Sequence, residues 1–353
     1  MPVTACYPEI MKDVERITIN VIGAGQWGPN LIRNFFNSPR SQVGIICDVD
    51  ETKLQSLSAR FPGVQVTGNS DDAIIDPAAD AVAVTTPVST HYELAHKALL
   101  ADKHVFVEKP LAQKVEECLE LIKLAKQRER ILMVGHVFKF NPGIQYVKEL
   151  LQEGTLGKII SMHAIRTNLG PVRTDVNALW DLGSHDLSIF NYWLAKQPSS
   201  VTASGLCYLS EQREDTVIAN YLYPDQVMAT IYVSWLHPRK VREITVVGSE
   251  KMLVWNDMDL CEPVRIYDKG VEQGTDLYAD TFGAFRLTLR EGAVTIPRVQ
   301  GAEPLASECD HFLECILKQK TPLTDGEDGL GVVRALAAAD QSIANQSQLV
   351  TLK

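Results

Sequence analysis

The sequence predicts an α/β protein in which a doubly wound domain with a parallel sheet is followed by an α+β domain. Three observations predict this class. Up to residue 134, short and uniformly apolar runs alternate with amphipathic helical patterns, which is typical of a parallel sheet covered on both faces. After about Phe140, longer segments alternate apolar with polar residues, which indicates antiparallel strands with one covered face. The length of 353 residues allows two domains.

The first domain is expected over residues 1–138, with 1–15 as an N-terminal extension. Expected strands cover residues 17–22, 43–47, 81–85, 105–107 and 131–134, and expected helices cover 30–36, 51–60, 90–100 and 115–125. In the last helix, apolar side chains recur at helical spacing and predict its buried face: Val115, Leu119, Ile122 and Ala125.

The second domain is expected over residues 139–353. Expected strands cover 161–166, 201–206, 217–222, 227–235 and 243–247, separated by turn signals such as Gly248-Ser249. Expected helices cover 186–194, 308–318 and 329–346, and a short strand covers 349–352, so that residues 325–353 form a closing helix and strand.

Composition excludes several classes of function. The net charge of −10 and the pI near 5.3 leave no diffuse cationic field for nucleic acid or an anionic membrane. The prolines and charges of the first 16 residues do not resemble a signal peptide, and no run reaches the ~20 apolar residues of a membrane span. Seven cysteines without a Cys-x-x-Cys pair or a Cys/His cluster predict reduced thiols and no metal site. We therefore expect a cytoplasmic protein.

A glycine-rich turn follows the first expected strand and opens the first expected helix. Gly23, Gly25 and Gly28, with Gln26 and Trp27 between the last two, form a G-x-G-x-x-G sequence. In this context the pattern predicts dinucleotide binding: a tight turn at the first glycine, close approach of the pyrophosphate at the second, and close helix packing at the third. The helix N-terminus would stabilise the anion.

The second expected strand ends at Asp48, 20 residues beyond Gly28. A carboxylate at this distance is placed to accept hydrogen bonds from the adenosine ribose of NAD. It would repel the 2′-phosphate of NADP, and its neighbours Val49 and Asp50 supply no arginine to bind one. NAD is therefore favoured over NADP.

Two further groups of residues are candidates for a catalytic role. Glu108-Lys109-Pro110 stands at the carboxyl end of an expected strand, where ligands bind in open α/β sheets; a surface salt bridge before a loop would give the same sequence. Asp181 and His185 are four residues apart and would share one face of a helix. Histidine can exchange a proton near neutral pH, although a helix N-cap followed by a structural histidine remains an alternative.

These motifs, in this order, resemble those of the Gfo/Idh/MocA oxidoreductases over almost the whole chain from Arg16. The resemblance implies a Rossmann domain that binds NAD and a second domain whose large, open, mixed and mostly antiparallel sheet binds substrate and forms homodimers or homotetramers. It also implies a cis Lys109-Pro110 peptide. Lys109, Asp181 and His185 would be catalytic, and the cofactor would be lined by Thr85, Thr86, Pro87, His91, Glu108 and Lys109 together with the glycine turn and Asp48.

The segment before Asp181 carries arginines and asparagines where many relatives carry glycines. It is similar to the branch that oxidises UDP-N-acetylglucosamine, or its uronic acid, at C3. By this likeness Arg166 and Arg173 would bind a diphosphate or a carboxylate, and Asn168 and Asn177 an acetamido group; ordinary loop charges are the alternative. Lys240 and Arg242 are expected to be solvated. A free-sugar or polyol dehydrogenase of the inositol type, and a dinucleotide-binding sensor without catalysis, remain competing functions.

Overall fold

The computed structural model describes residues 16–271 and 289–352, and these residues form two sheets. The first is parallel, with strand order β3-β2-β1-β4-β5-β6. Its strands are β1 (Ile17–Ile22), β2 (Ser41–Cys47), β3 (Gln65–Thr67), β4 (Ala81–Val84), β5 (His104–Glu108) and β6 (Leu132–Gly135). Its helices are α1 (Gly28–Asn37), α2 (Glu51–Arg60), α3 (Ser70–Ile75), α4 (His91–Leu100) and α5 (Val115–Gln127).

Every residue of β1, β4 and β6 is buried. Strands that carry apolar side chains on both faces need helices on both faces of the sheet, and this explains the continuous apolar runs of the sequence. Helix α2 begins where predicted because the Asp50 side chain accepts hydrogen bonds from the backbone N–H groups of Thr52 and Lys53. The predicted parallel sheet is thus confirmed.

The second sheet has strand order β14-β13-β12-β11-β7-β10-β9-β8-β15. Strand β10 pairs with β7 in parallel, and the other neighbouring pairs are antiparallel, so the sheet is mixed as expected. The strands are β7 (Ile159–Leu169), β8 (Ser200–Leu206), β9 (Thr216–Tyr223), β10 (Val227–Ser234), β11 (Leu236–Gly248), β12 (Met252–Asn256), β13 (Val264–Val271), β14 (Leu289–Thr295) and β15 (Val350–Thr351). The helices are α6 (Pro142–Gln152), α7 (Ser184–Leu194), α8 (Pro304–Lys318) and α9 (Gly326–Ala344).

Helix α8 follows the second sheet in the chain but packs on the first. Its residues Leu305, Cys309, Phe312 and Leu313 share a core cluster with residues of β1, α1, β2 and β4. The Phe312 ring lies 6.4 Å from that of Phe35 in α1 and 5.7 Å from that of Phe106 in β5. The chain therefore returns to cover the sheet with which it began.

Several elements differ from the sequence prediction. Helix α6, the short β3 and α3, and strands β12 to β14 were not predicted. In α5 the expected buried residue Leu119 is 44% exposed, whereas its neighbour Cys118 is buried, because the helix turns Leu121, Ile122 and Ala125 inward and carries Leu119 to the outside. Within the described ranges, no helix combines the length and apolar character needed to cross a bilayer, and no cluster of potential metal ligands occurs.

Candidate active site

A cavity of about 1280 Å³ opens at the carboxyl ends of the strands of the first sheet and extends to the second sheet. Its size exceeds that of an ordinary small-molecule pocket, which is roughly 300–1,000 Å³. Most of the predicted site residues line it: Gly23, Gly25, Gln26, Trp27, Asp48, Thr85, Thr86, Pro87, His91, Glu108, Lys109, Arg166, Arg173, Asp181 and His185. Gly28, Asn168 and Asn177 are not among its lining residues.

The glycine turn is shaped to receive a group from the cavity. Gly23 has φ of +103°, and a Cβ there would lie 2.7 Å from the carbonyl carbon of Thr85. The Thr85 hydroxyl donates a hydrogen bond to the Gly23 carbonyl at 2.5 Å, which fixes the turn against β4. Above Gly25 no described atom comes within 4 Å of a Cβ position, and α1 begins at Gly28. Open space beside a helix N-terminus fits a pyrophosphate.

Asp48 is held at the end of β2 by two backbone groups. Its Oδ2 accepts from the N–H of Ala24 at 2.6 Å, and its Oδ1 accepts from the N–H of Asp50 at 2.9 Å. Lys53, which the sequence analysis did not consider, places its Nζ 3.7 Å from Asp48 Oδ1. The carboxylate is thus fixed at the cavity, with a lysine beside it.

His91 braces the cavity wall. Its ring nitrogens lie 2.8 Å from the carbonyl oxygen of Pro110 and 2.9 Å from that of Thr86, and the side chain is buried. Burial lowers the pKa of His91, so the neutral ring donates to one of these carbonyls. The Lys109-Pro110 peptide is cis, as the resemblance implied, and His91 connects it to the Thr86-Pro87 turn.

Lys109 projects from the end of β5 towards the helical turn that carries Asp181. Its Nζ donates to the Asp181 carbonyl oxygen at 2.6 Å and lies 3.6 Å from Asp181 Oδ1. The side chain is only 12% exposed, and burial lowers the pKa of Lys109 while the charge of Asp181 opposes that shift. An ammonium held in this way is poised to interact with a ligand oxygen.

Asp181 is occupied by partners from three directions. Besides Lys109, its Oδ1 lies 3.5 Å from Nη1 of Arg173, and its Oδ2 accepts from Nε1 of Trp235 at 3.1 Å. No bond to His185 is found among the described contacts of Asp181. A role of Asp181 in holding the imidazole therefore has no support in the geometry; its described contacts fix the Lys109 ammonium instead.

His185 lies in the first turn of α7, with its ring packed edge-on against Phe138 at a centroid distance of 4.9 Å. Its Nδ1 is buried and bonds no described group. Burial, reinforced by the positive charges of Lys109 and Arg166, lowers the pKa of His185 well below its usual value. The imidazole is therefore neutral near pH 7 and can accept a proton.

Glu108 is the second titratable group of the Glu-Lys-Pro triplet. Its Oε2 accepts from the backbone N–H of Lys109 at 3.2 Å, and its Oε1 is buried without a described partner. Burial raises the pKa of Glu108 to about 7. Behind it, Glu308 of α8 is 0% exposed, and neither carboxyl oxygen has a described partner. Burial and the nearby Glu108 raise the pKa of Glu308 well above its usual value.

The predicted substrate residues separate into two groups. Arg166 and Arg173 line the cavity, but each is paired: Nε and Nη2 of Arg166 bind Asp186, and Nε and Nη2 of Arg173 bind Asp175. Asn168 does not reach the cavity lining. The amide of Asn177 is used inside the protein, where it donates to Glu214 at 2.8 Å and to Asp340 at 3.1 Å. Neither asparagine is placed to contact a ligand in the cavity.

Sequence reasoning missed two neighbours of the site: Trp235 binds Asp181, and Phe138 packs on His185. Arg242 was expected to be solvated. It is 36% exposed, but it also lines the cavity, because β11 pairs with β7 and so brings Arg242 beside Arg166. For Phe138 a signal existed, since it follows the carboxyl end of β6, at the same edge of the sheet as Lys109.

Comparison with known proteins assigns the family. The family model for oxidoreductases with an NAD-binding Rossmann fold (GFO_IDH_MocA) matches residues 17–136, and the model of the GFO/IDH/MocA C-terminal domain matches residues 144–254. The chain belongs to the GFO/IDH/MocA oxidoreductase family. NAD is the cofactor of this Rossmann fold, and the open turn at Gly25 and the carboxylate of Asp48 fit it.

Individual relatives differ in substrate. The chain is 26% identical to the UDP-N-acetylglucosamine 3-dehydrogenase of Acidithiobacillus ferrooxidans, over 91% of this chain and 94% of the relative. It is 30% identical to inositol 2-dehydrogenase 2 of Saccharopolyspora erythraea, over 53% of this chain and 56% of the relative. Among solved structures, the WlbA dehydrogenase of Bordetella pertussis in complex with NADH and UDP-GlcNAcA superposes with a TM-score of 0.80 at 21% identity, covering 96% of this chain and 98% of that one.

Proposed function

We propose that this oxidoreductase interconverts the C3 hydroxyl of UDP-N-acetylglucosamine, or of its uronic acid, and the corresponding ketone, with the hydride passing between C3 of the sugar and NAD. One observation carries the proposal: the Lys109 ammonium and the His185 imidazole line the same cavity as the dinucleotide turn. Oxidation of a secondary alcohol needs a hydride acceptor for carbon and a proton acceptor for oxygen. The bound nicotinamide supplies the first, and the chain supplies the second.

Two side chains are proposed to act on the alcohol oxygen, and a third positions one of them. Neutral His185 accepts the hydroxyl proton, or returns it in the reductive direction. The Lys109 ammonium stabilises the negative charge that develops on that oxygen. Asp181 acts as a positioning residue, because its carbonyl and carboxylate fix the Lys109 ammonium while Arg173 and Trp235 fix the carboxylate. The cofactor side of the cavity is assigned to Thr85, Thr86, Pro87 and Glu108. His91 holds the backbone next to them through its contacts with the carbonyl oxygens of Thr86 and Pro110.

The choice of a nucleotide-linked sugar draws support from the 3-dehydrogenase relative, which aligns over nearly the full length of both chains. Arg166 and Arg173 stay in the proposed substrate site as paired cations of the cavity wall. Asn168 and Asn177 are left out of it, because they do not line the cavity.

The test follows absorbance at 340 nm as purified protein is mixed with NAD and UDP-N-acetylglucosamine, its uronic acid, or inositol. We expect the wild type to turn over the UDP-sugars. Lys109→Ala and His185→Ala should each lower kcat at least ~10²-fold, while the affinity for NAD changes little. His96→Ala, outside the cavity lining, is the matched control. Near-wild-type turnover in either active-site variant would refute the assigned roles.

A polyol dehydrogenase is the second candidate. One observation favours it: the four cations around Lys109 and His185, at what we call the substrate end of the cavity, are each paired with an aspartate. The net charge of this region is therefore close to zero. The cations are Lys109, Arg166, Arg173 and Arg242, and the aspartates are Asp175, Asp181, Asp186 and Asp257. Turnover of inositol but of neither UDP-sugar would select this candidate, and NAD binding without turnover of any sugar would select the sensor.

The second sheet also supports a proposal about assembly. Its outer face carries apolar side chains that the chain itself leaves exposed, including Ile165, Ile218, Leu222 and Met228. Adjacent exposed apolar side chains on a regular sheet fit a second copy of the same face. We expect a homodimer, or a homotetramer built from it, in light scattering, and monomers for Ile218→Glu. Leu260→Glu, an exposed residue outside the sheet, should leave the assembly unchanged; a monomeric wild type would contradict the proposal.

A further inference from the structure

Two arginines face each other across adjacent strands in the cavity wall. Arg166 of β7 and Arg242 of β11 are direct partners in the antiparallel ladder, and both line the cavity. Like charges at directly opposed positions of a sheet are destabilising. The pair therefore needs compensation, either from the protein or from a ligand.

Both guanidinium groups lie over the same aromatic ring. The Cζ atoms of Arg166 and Arg242 are 4.5 Å and 6.0 Å from the centroid of Phe138, and the His185 ring packs on the same side chain. The arginine pair and the proposed proton acceptor thus share Phe138 as a common neighbour, and all three side chains line the cavity.

The two arginines differ in how far they are already satisfied. Arg166 is 3% exposed, and Asp186 binds its Nε and Nη2 at 2.8–3.2 Å. Arg242 is 36% exposed, and its Nη1 donates to Asp257 at 3.0 Å. No other side-chain bond of Arg242 occurs among the described contacts, so Nε and Nη2 remain available. Asp257 holds the guanidinium in place without using its full set of donors.

The remaining cations of the wall are committed to protein partners. Arg173 binds Asp175 through two nitrogens and reaches Asp181 with the third, and Lys109 is tied to Asp181. Among the described cavity cations at the substrate end, Arg242 thus has the largest unused donor capacity. A guanidinium with adjacent free N–H groups binds an oxyanion in a bidentate manner.

We propose that Arg242, supported by Arg166 across the ladder, binds an oxyanion of the substrate and selects charged sugars over neutral ones. The oxyanion is the carboxylate of a uronic acid or a phosphate of the nucleotide. This inference rests on the proposed function, because it assigns part of the substrate to a place beside His185.

The experiment compares four compounds that separate the two sources of charge: N-acetylglucosamine, N-acetylglucosaminuronate, UDP-N-acetylglucosamine and UDP-N-acetylglucosaminuronate. Each is tested with wild type, Arg242→Met, Arg242→Lys and the control Lys240→Met, which removes a charge from an exposed position of the same strand. Turnover gives KM and kcat, and calorimetric titration in the presence of NADH gives Kd independently of turnover.

Arg242→Met is expected to raise KM and Kd for the recognised anionic sugars at least ~10-fold, with kcat within ~3-fold, because a charge-assisted bond made in both ground and transition states is lost. Arg242→Lys should recover only part of the loss. A loss confined to the two uronates assigns the subsite to the carboxylate, and a loss confined to the two UDP-sugars assigns it to the phosphate.

Equal Kd values for wild type and Arg242→Met with all three anionic compounds would overturn the inference, as would the same loss in Lys240→Met. The proposed function fails separately, if wild type binds these compounds but reduces no NAD with any of them. Arg242-dependent binding without turnover would then retain the anion subsite and reject the dehydrogenase.

Discussion

Replacing Glu108 by glutamine tests whether the site holds a carboxyl group that resists ionisation. Burial raises the pKa of Glu108 from 4.5 to about 7. A group with a raised pKa in the folded protein binds its proton more tightly there than in the unfolded chain, so its contribution to stability is complete below pH 4.5 and is lost as the pH rises to about 7. A shift of this size corresponds to about 3 kcal/mol.

Glutamine keeps an oxygen that can accept from the Lys109 N–H, and it cannot ionise. We therefore expect Glu108→Gln without cofactor to be more stable than wild type at pH 8 and to lose most of that advantage at pH 5. For a chain of this length about 3 kcal/mol corresponds to a change in Tm of about 4 °C.

The assay is thermal unfolding of both proteins from pH 5 to pH 8, with Glu211→Gln as a surface control. Glu211 is exposed in the loop between β8 and β9, so its replacement should not reproduce a change of the Tm difference with pH. A Tm difference between Glu108→Gln and wild type that does not change with pH would refute the reasoning. If the variant instead gained more stability over wild type at pH 5 than at pH 8, the pKa of Glu108 would be shifted in the opposite direction.

Three further predictions concern the glycine turn, the Asp48 carboxylate and the ion pair between Arg166 and Asp186. Gly23→Ala should weaken NAD binding and lower the unfolding free energy by at least ~2 kcal/mol, because a Cβ at this positive φ would lie 2.7 Å from backbone atoms. The control is Gly63→Ala, also at positive φ but with no atom within 4 Å of a Cβ, which should lower the unfolding free energy by less. Chemical denaturation measures both. Asp48→Ala should reduce the ratio of NAD to NADP affinity in fluorescence titrations, and an unchanged ratio would count against the ribose contact. Arg166→Met should lower stability by roughly 3–5 kcal/mol by leaving Asp186 buried without a counter-ion, and adding Asp186→Leu should recover much of it; equal stability of the single and double variants would contradict this pairing.

The first sheet could be predicted from the sequence because its strands are buried on both faces and read as continuous apolar runs. The turn at Gly23 and the Asp48 carboxylate followed from spacing along one βαβ unit, in which local order fixes spatial order. Helix α6 was missed although its start is marked, since Asn141 caps it and Pro142 stands at its first position.

The contacts of the site were less accessible, because they depend on pairing between distant strands. Asp181 was expected to share one helix face with His185, four residues away, but its described partners are Trp235, Arg173 and Lys109. Arg242 joins the cavity only through the register of β11 against β7, which positions it opposite Arg166. Alternation along a strand shows that one face is covered, but it does not show which strand lies beside which.

The return of α8 to the first sheet limits how this protein can be divided or recombined. A fragment that stops at residue 140 would uncover the aromatic surface formed by Phe35 and Phe106, which Phe312 shields in the full chain. A hybrid made by joining the first half of one relative to the second half of another would set a foreign α8 against that surface. Phe35 and Phe106 would then have to be exchanged together with α8. A segment intended to fold by itself should therefore contain α8 as well as the nucleotide-binding half.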